Sequence, residues 1–558
     1  MNIIFLLLGL ASAAQPGSRF GPADLIGLSR ISDMVPSPGG DKVLYQASKY
    51  NPTTDLTESG IYIIDLETKA VVNITTAVGP NASSFLWIGS NIMFKSNRTG
   101  SYQMWLTSIN STKATQLTNF DLPELNGPKF DAASNKLVFS APVEVKKEKS
   151  FSSAMVYNEL YARHWDSWYD YKHQHLYQAT LIPNKVVSEA FDMMRAHVEL
   201  ESPRRPYYDS GDYTISSDGS HVAFVTMPAS KSRAWKTTSQ LLIFSSKDNR
   251  TAVISSGLGA ISNPEFSPSG DMLAWLQTYD TINEAAKKQI QLMEFRSGKI
   301  FTLGQDWDNS PLSLTFSMDQ TRLFLTAHDQ GTTSLFSIHL SNQTRTRLTF
   351  TGTSSFITDG NNIILKKSYA HHPPEIYSLS ANGTETKISN FYQSELAKFN
   401  FNRYEPFHFR GANNDVVQGF IVKPPNFQPT IKYPVVLYIH GGPEDSFGDV
   451  WGLRWNYQIP AQAGYVVVGI NFHGSTGFGM YFTNSIRNNW STLPFMDLML
   501  GMDFVRSYFP FANTENAAAW GASYGGYMIN VINGKTNRFK ALVCHDGIFQ
   551  HSLCLLYH

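Results

Sequence analysis

The chain has 558 residues, of which 42% are hydrophobic and 13% aromatic. A chain of this length is too long for one domain, and it has enough apolar side chains to fill large cores. Its 45 lysines and arginines balance its 45 aspartates and glutamates, so no basic surface predicts nucleic-acid binding. The sequence also contains no block of like charges, so we expect no charged interaction tail. We therefore expect a globular protein of two or more domains without a nucleic-acid partner.

Residues 1–14 have the pattern of a secretory signal peptide. The apolar core of residues 3–10 is followed by small residues at 11–14, as at a cleavage site. This core is too short to span a bilayer, and no later stretch reaches the roughly 20 apolar residues of a membrane helix, so we expect no membrane partner. Eight N-x-S/T sequons favour a secreted glycoprotein. These candidate glycosylation sites are Asn73, Asn81, Asn97, Asn110, Asn249, Asn342, Asn382 and Asn489.

A turn rich in Asp, Gly, Ser or Asn, followed by an apolar strand, recurs seven times before residue 400. The repeats lie at residues 37–45, 87–94, 133–139, 217–224, 267–275, 317–324 and 358–365. Their spacing is mostly about 40–50 residues, which is typical of one four-stranded propeller blade per repeat. A β-sandwich array is the alternative, but radial closure buries every blade without long exposed edges. We therefore predict a β-propeller, seven-bladed, over residues 15–400.

The interval between the third and fourth repeats is nearly double the others. Apolar or aromatic residues occur there at helical spacing. They are Tyr157, Leu160, Tyr161, His164, Trp165, Trp168 and Tyr171. We predict a helical insert near residues 151–200, whose apolar stripe packs against the propeller. Charged residues on its flank, among them Glu159 and Asp166, are positioned to contact a substrate if the insert leans over the next domain.

Histidines occur in two close pairs, His173 with His175 and His371 with His372. Histidine is a common metal ligand, but neither pair has an acidic or cysteine partner at useful spacing. We therefore expect ordinary surface histidines and no metal site.

From about residue 415 the pattern changes to that of an α/β domain. Residues 434–440 and 465–471 are continuous apolar runs of strand length, as expected for parallel strands covered on both faces. Residues 521–525, GASYG, then place a serine between two glycines where a buried strand turns into a helix. This order predicts an α/β-hydrolase domain over residues 401–558. The alternative is a doubly wound sheet whose serine merely packs.

Ser523 is the candidate nucleophile, because in this motif the serine lies on a strained turn with its hydroxyl exposed. Gly521 and Gly525 leave room for the strand and the helix to pass closely. An oxyanion hole needs backbone N–H donors. In an α/β-hydrolase one comes from the loop after an earlier strand and the other from the residue after the nucleophile. The sequence HGG at residues 440–442 matches that loop, so we assign these roles to Gly442 and Tyr524.

Five motifs in the second half of the chain point to one family. They are HGGPE at 440–444, WGLRW at 451–455, NFHGSTGFG at 471–479, WSTLPFMDL at 490–498 and GASYGGY at 521–527. With the repeats before them, they resemble the prolyl oligopeptidase family of serine peptidases, most closely its secreted dipeptidyl-peptidase V group. The resemblance implies that dipeptides are cleaved from the free N-terminus of peptide substrates through a seryl acyl-enzyme. It implies no metal or organic cofactor, and a propeller that acts as a size filter over a buried site.

Acidic residues are the candidates for binding the free amine of such a substrate. From acidity and position we choose Glu444, Glu159 and Asp166. Side-chain preference and oligomeric state leave no signal in the sequence.

The resemblance also implies a triad in the order Ser, Asp, His, with the acid and the base after two later strands. Residues 524–558 supply one helix and one strand, so we expect a C-terminally truncated, inactive chain that lacks both partners. Asp546 with His551 or His558 has the right order, but the histidine would need to reach back to within about 3 Å of Ser523. The alternative functions are a catalytically dead scaffold or binding protein and a secreted carboxylesterase.

Overall fold

A computed structural model describes residues 19–79, 82–145, 152, 154–158, 160, 162–228, 231–358 and 362–549. The signal peptide predicted at residues 1–14 lies outside these residues, as do Asn81, Glu159, His551 and His558. The described residues form a β-propeller followed by an α/β domain, which confirms the predicted fold class. No helix in this part of the chain is long and apolar enough to cross a membrane.

The turn that recurs in the sequence joins the first two strands of a blade, and a serine closes it. In four blades the serine Oγ accepts a hydrogen bond of 3.0 Å from the backbone N–H five residues later. These serines are Ser37, Ser216, Ser267 and Ser317. Because the side chain satisfies a backbone donor within the turn, the chain reverses there. The apolar strand that follows then pairs with the strand before it.

The repeats form seven antiparallel sheets, six of four strands and one, the fourth, of five. Blades 1 and 2 contain β1 (Arg30–Pro36), β2 (Lys42–Asn51), β3 (Leu56–Asp65), β4 (Val71–Asn73), β5 (Ser83–Ile88), β6 (Asn91–Ser96), β7 (Gln103–Ser108) and β8 (Thr115–Gln116). Blade 3 contains β9 (Asn126–Asp131), β10 (Lys136–Glu144), β13 (Lys172–Thr180) and β14 (Phe191–Asp192), with the separate hairpin β11 (Arg163–His164) and β12 (Ser167–Trp168) between β10 and β13. Blade 4 contains β15 (Leu200–Glu201), β16 (Tyr213–Ile215), β17 (His221–Pro228), β18 (Gln240–Ser245) and β19 (Arg250–Ser256).

The last three blades follow the same plan. They contain β20 (Ile261–Phe266), β21 (Met272–Gln277), β22 (Gln289–Glu294), β23 (Ile300–Leu303), β24 (Pro311–Phe316), β25 (Arg322–Asp329), β26 (Thr332–His339), β27 (Arg345–Arg347), β28 (Thr353–Thr358), β29 (Ile363–Tyr369), β30 (His372–Leu379) and β31 (Glu385–Lys387). Strands β1, β5, β9, β16, β20 and β24 each contact the next in that order, and β28 contacts both β26 and β1. The blades therefore close into a ring. Apolar clusters fill the space between neighbouring blades, as Ile63 and Phe94 do between blades 1 and 2.

The insert in blade 3 is not the predicted helix. Its described residues form the hairpin β11–β12 instead. The Tyr157 ring stacks on those of Trp168 and Tyr171 at centroid distances of 5.7 and 6.1 Å. These aromatic residues therefore pack between chain segments rather than along one helix face, and aromatic side chains fit strands well. The spacing of these residues in the sequence could not distinguish a helix from a β-hairpin.

The second domain is built on one six-stranded sheet. Its strands are β32 (Glu405–Arg410), β33 (Val416–Val422), β34 (Tyr433–Ile439), β35 (Val466–Asn471), β36 (Ala512–Ala522) and β37 (Ala541–His545). The spatial order is β32-β33-β35-β34-β36-β37, and the last four strands in that order are parallel. The two apolar runs identified in the sequence are β34 and β35, which are buried almost throughout because helices cover the sheet.

The helices are short apart from two in the second domain. They are α1 (Pro22–Gly27), α2 (Thr75–Val78), α3 (Gln393–Leu396), α4 (Gln458–Gln462), α5 (Met480–Asn484), α6 (Leu493–Tyr508) and α7 (Tyr524–Lys535), with 3-10 turns at Ser210–Asp212, Lys231–Ala234 and Ala412–Asn414. The two domains meet through turns of the propeller. Gln330 N–H donates to the Gly477 carbonyl at 3.0 Å, and Arg487 Nη1 lies 2.9 Å from Asp280 Oδ2.

Candidate active site

The carboxyl ends of two parallel strands meet at the candidate site. β34 and β36 pair so that Ile439 lies opposite Gly521. The loops that follow are therefore adjacent, residues 440–443 after β34 and Ser523 after β36. Ligands of open α/β sheets bind outside the carboxyl ends of the strands. The strand order thus brings the glycine-rich loop next to the serine.

Ser523 occupies a strained strand-to-helix turn. Its backbone has φ 56° and ψ −119°, a conformation that residues with side chains rarely adopt, and its side chain is exposed. A Cβ on Gly521 would overlap the Gly525 carbonyl oxygen, and one on Gly525 would overlap that of Ile439. Close packing therefore requires both glycines. This is the geometry of a nucleophile elbow.

The two residues assigned to the oxyanion hole flank this turn. A Cβ built on Gly441 would lie 3.2 Å from the Ala522 carbonyl oxygen and 3.4 Å from Ser523 Cβ, so the loop passes directly beside the elbow. Gly442 follows, exposed, with φ +118°. Tyr524 is the first residue of α7, and the first N–H groups of a helix lack helical acceptors and carry partial positive charge. Developing negative charge next to Ser523 would be stabilised there.

His440 anchors the glycine-rich loop from inside the protein. Its ring is buried and stacks on Phe472 with centroids 4.1 Å apart. Nδ1 lies 2.8 Å from the Gly441 carbonyl oxygen, and Nε2 lies 2.9 Å from Ser475 Oγ. Burial lowers the pKa of His440 below its ordinary value. A neutral ring then donates from Nδ1 and accepts from the Ser475 hydroxyl, so His440 positions the loop.

The Tyr524 side chain faces the core rather than the cleft. It is 1% exposed, and its hydroxyl donates to the Trp490 carbonyl oxygen at 2.6 Å. Burial raises the pKa of Tyr524, and the charges of neighbouring groups, Glu444 among them, raise it further. The phenol therefore stays protonated, and only the backbone of Tyr524 borders the serine.

Two carboxylates, one from each domain, are close enough to interact electrostatically. Glu444 follows the glycine-rich loop and is half-buried. Burial raises the pKa of Glu444, and the charge of Glu284 on the β21–β22 loop of the propeller raises it further. A carboxylate whose charged form is disfavoured by a neighbouring like charge favours a bound cation. Sequence reasoning found Glu444 but missed Glu284, which has no motif and reaches the site only through the propeller fold.

Of the two acids predicted on the insert, one lies in the described part of the chain. Asp166 lies at the exposed tip of the β11–β12 hairpin, and Glu159 lies outside the described residues. The contacts that the structure describes for Asp166 do not include Ser523.

A buried histidine between two carboxylates was also missed. His473 follows β35; its Nδ1 lies 2.6 Å from Asp497 Oδ2, and its Nε2 lies 3.2 Å from Asp415 Oδ2. Burial disfavours the charged ring, but the hydrogen bonds and charges of Asp497 and Asp415 outweigh it and raise the pKa of His473. Asp497 Oδ1 also accepts the Ala412 N–H at 2.8 Å. The cluster ties three segments together, and only the fold reveals it, because its members are far apart in sequence.

No general base contacts Ser523 in the described part of the chain, where no side chain hydrogen-bonds the serine hydroxyl. Asp546 follows β37 and is exposed. The histidines that were considered with it, His551 and His558, lie outside the described residues. The described residues thus provide a candidate nucleophile and candidate oxyanion donors, and among them no side chain takes the place of the triad base.

The prediction that His173 and His175 lie on the surface is wrong. Both are fully buried in β13. Nδ1 of His173 lies 2.9 Å from the Val198 carbonyl oxygen, and Nδ1 of His175 lies 2.9 Å from Asp192 Oδ2. They are core histidines with polar partners. Within the described ranges, no group of three or more His, Cys, Asp or Glu is arranged to hold a metal ion.

Fold and site together define a class: a β-propeller joined to an α/β-hydrolase with a serine elbow. Residues 451–555 match the model of the prolyl oligopeptidase family. Dipeptidyl-peptidase 5 of Trichophyton schoenleinii is 30% identical over 587 residues, covering 98% of this chain and 80% of the relative. The chain therefore belongs to the prolyl oligopeptidase family and is a serine-type peptidase by descent.

Solved structures show the same fold. Pyrococcus horikoshii acylaminoacyl peptidase has a TM-score of 0.77 at 18% identity, covering 95% of this chain and 79% of the other. A Mycobacterium tuberculosis puromycin-hydrolyzing peptidase has a TM-score of 0.66 at 14% identity, covering 96% and 80%. At such identities the likeness concerns the fold alone.

Proposed function

We propose that this protein is a serine exopeptidase that releases dipeptides from the free N-terminus of peptides. The observation that carries the proposal is the Ser523 elbow beside the Gly441–Gly442 loop, beneath a propeller. Ser523 would attack the scissile carbonyl, and the backbone N–H groups of Gly442 and Tyr524 would hold the oxyanion. The relatives named dipeptidyl-peptidase 5 support the substrate class.

We assign recognition of the substrate's free amine to two carboxylates, those of Glu444 and Glu284. An ammonium group placed between them neutralises their mutual repulsion. Asp166 and Glu159 remain predictions for the same role. Because the bound amine would lie two residues from the scissile bond, the released product would be a dipeptide rather than a longer peptide.

The test compares chromogenic Ala-Ala and Lys-Ala substrates with their N-acetylated forms and with butyrate esters. We expect hydrolysis of the free dipeptide substrates, loss of at least tenfold in kcat/KM on acetylation, and no turnover by Ser523→Ala. Glu444→Gln and Glu284→Gln should reduce this discrimination. Faster turnover of the esters would instead identify a carboxylesterase.

A catalytically inactive binding protein is the second candidate. It is favoured by the described residues around Ser523, which include no base in contact with the hydroxyl. The intact mass of the deglycosylated protein from its native source separates the two. A mass near 62.4 kDa less the leader, with no peptidase activity, would favour the binding protein. A larger, active species would favour the peptidase with its acid and base outside the described residues.

We further propose that the protein is secreted and N-glycosylated. Six of the sequon asparagines are exposed, Asn97 is half-buried and Asn81 lies outside the described residues. A folded protein accommodates a bulky, polar glycan only at its surface. Peptide mapping after enzymatic deglycosylation, which converts each modified asparagine to aspartate, tests each site.

A further inference from the structure

The loop that carries Gly442 is anchored on both sides of that residue by two consecutive residues. Before Gly442, His440 Nε2 lies 2.9 Å from Ser475 Oγ. After it, the Asp445 carbonyl oxygen accepts a hydrogen bond of 3.0 Å from the Thr476 N–H. Because the two anchors are adjacent along the chain, a shift of this short segment would shift the glycine-rich loop, and with it the candidate oxyanion donor.

The side chain of Thr476 contacts the propeller. His328 lies near the end of β25, and its Nδ1 is 2.7 Å from Thr476 Oγ1. Next to this contact, Gln330 N–H donates to the Gly477 carbonyl oxygen at 3.0 Å. A Cβ built on Gly477 would lie 3.0 Å from the Asp329 backbone nitrogen, so a glycine is needed for this close approach. The β25–β26 turn of blade 6 therefore packs directly on the segment that anchors the loop.

A second connection runs from the same turn to the same loop through buried amides. Gln418 Nε2 donates to the Gln330 carbonyl oxygen at 2.9 Å, and Gln418 Oε1 accepts from Asn471 Nδ2 at 2.9 Å. Asn471 Oδ1 in turn accepts the Phe447 N–H at 2.8 Å. Gln418 and Asn471 are 4% and 0% exposed. A buried polar network is rigid, because each broken hydrogen bond would leave an unsatisfied polar group.

A contact of blade 5 with the hydrolase domain has a different character. Asp280 and Arg487 pair there with side chains that are 28% and 47% exposed, and such pairs contribute little to stability. The contacts that the structure describes for Arg487 do not include residues 440–447. The contacts of blade 6 are more buried and converge on the loop beside Ser523, which an interface that only joined two domains would not require.

We propose that His328 and Thr476 are positioning residues for the reaction, which hold the glycine-rich loop so that the Gly442 N–H faces the oxyanion. The propeller thus contributes to the active site through hydrogen bonds to the loop, without touching the substrate. The proposal rests on the proposed function, in which Gly442 donates to the oxyanion. An oxyanion donor stabilises the transition state only at hydrogen-bonding distance, and a misplacement of about 1 Å can lower the rate about 100-fold.

The test measures kcat and KM for a chromogenic Ala-Ala substrate with the wild type, Thr476→Val and Thr476→Ser. Valine has nearly the shape of threonine but lacks the hydroxyl that contacts His328. We expect Thr476→Val to lower kcat about 10- to 100-fold and to change KM by no more than about twofold, because the oxyanion forms only in the transition state. Thr476→Ser keeps the hydroxyl and should restore most of kcat. An unchanged kcat, or a change confined to KM, would overturn the proposal.

His328→Phe removes the same contact from the side of the propeller. It should lower kcat as Thr476→Val does, and the double variant should lose no more than the larger single loss, because both substitutions remove one interaction. Losses that multiply in the double variant would contradict the proposal.

Arg487→Gln is the matched control, because it removes a different contact between the same two domains. Its kcat should stay within about twofold of the wild-type value. A loss equal to that of Thr476→Val would show that any weakening of the interface lowers kcat, and would sink the specific role of the His328–Thr476 contact.

Amide hydrogen exchange of residues 440–447, followed by mass spectrometry, separates this proposal from the proposed function, because exchange reports local opening without any turnover. If no substrate is hydrolysed, the proposed function fails alone when Thr476→Val and His328→Phe speed exchange at least tenfold and Arg487→Gln does not. Equal exchange in all of these proteins would then overturn the positioning role as well. If substrates are hydrolysed but kcat is the same in all variants, the positioning role fails and the proposed function stands.

Discussion

At the scale of single residues, Ser523 combines an exposed hydroxyl with a backbone conformation suited to glycine. Holding a residue with a side chain at φ 56° and ψ −119° costs on the order of 1–3 kcal/mol. Glycine relieves that cost, although it loses more entropy on folding. We therefore expect Ser523→Gly to have a free energy of unfolding about 1 kcal/mol higher than Ser523→Ala, measured by urea denaturation.

A serine in an ordinary helical conformation provides the control for this prediction. Ser507 lies in α6 and is exposed. At this position the free energy of unfolding of Ser507→Gly should be about 1 kcal/mol lower than that of Ser507→Ala. If the glycine variant is more stable than the alanine variant at both positions, or less stable at both, backbone strain at Ser523 does not explain the difference there.

His473 makes stability depend on pH in a defined direction. Its pKa is raised in the folded protein, so the folded state holds a proton that the unfolded state releases first. The stabilisation is fully present below the unfolded value, near 6.5. It is lost as the pH rises through the higher folded value. Unfolding measured by urea from pH 5 to 9 should show wild-type stability falling relative to His473→Gln above about pH 6.5.

The exposed His408 is the control for the pH dependence. His408→Gln should follow the wild-type profile, because it removes an imidazole without disturbing the buried cluster. If His473→Gln has the same profile as the wild type, the ring is not charged in the folded protein.

At the scale of elements, two of the three glycines of α7 should respond in opposite directions to an added side chain. A Cβ on Gly525 would overlap the Ile439 carbonyl oxygen, whereas one on Gly534 meets nothing within 4 Å. Gly525→Ala should push the helix from the sheet and cost about 2 kcal/mol or more, as overpacking does. Gly534→Ala should stabilise the protein by about 0.5–1 kcal/mol.

Thermal unfolding of the two variants checks this prediction, with far-UV circular dichroism to confirm folding. A melting temperature of Gly525→Ala equal to the wild type would show that α7 does not pass β34 as closely as the structure indicates.

Some of these elements could be predicted from the sequence and others could not, and the reasons are physical. The blades are predictable because the turns depend on local chemistry, as in the hydrogen bond from Lys42 N–H to Ser37 Oγ. The elbow around Ser523 is local too. The β11–β12 hairpin is not, since its aromatic spacing suits a helix equally well. Glu284 joins Glu444 only through the propeller fold, which no motif records.

At the scale of the whole molecule, Phe20 links the beginning of the chain to the hydrolase domain. It is 1% exposed and meets Phe399, Phe401 and Trp451 at centroid distances of 5.0, 5.0 and 5.7 Å. Phe20→Ala should cost about 3–5 kcal/mol, as for other buried phenylalanines. We also expect calorimetry to resolve two transitions, because the domains lose a shared core.

An exposed phenylalanine of the propeller serves as the comparison. Phe350 is 67% exposed, so Phe350→Ala should remain within about 0.5 kcal/mol of the wild type. A single transition at unchanged temperature for Phe20→Ala would mean that other contacts couple the domains.

The propeller ring has one junction unlike the other six. Blade 1 is formed by residues 30–73 and blade 7 by residues 353–387, so the two are far apart along the chain, and in the described chain no strand pairs across this or any other junction. Neighbouring blades elsewhere are joined directly by the continuous polypeptide, whereas this junction is spanned by side chains, with Lys69 Nζ donating to the Lys387 carbonyl oxygen at 3.2 Å. On heating, we therefore expect the ring to open at this junction first, which would admit a bulky polypeptide from the side of the propeller.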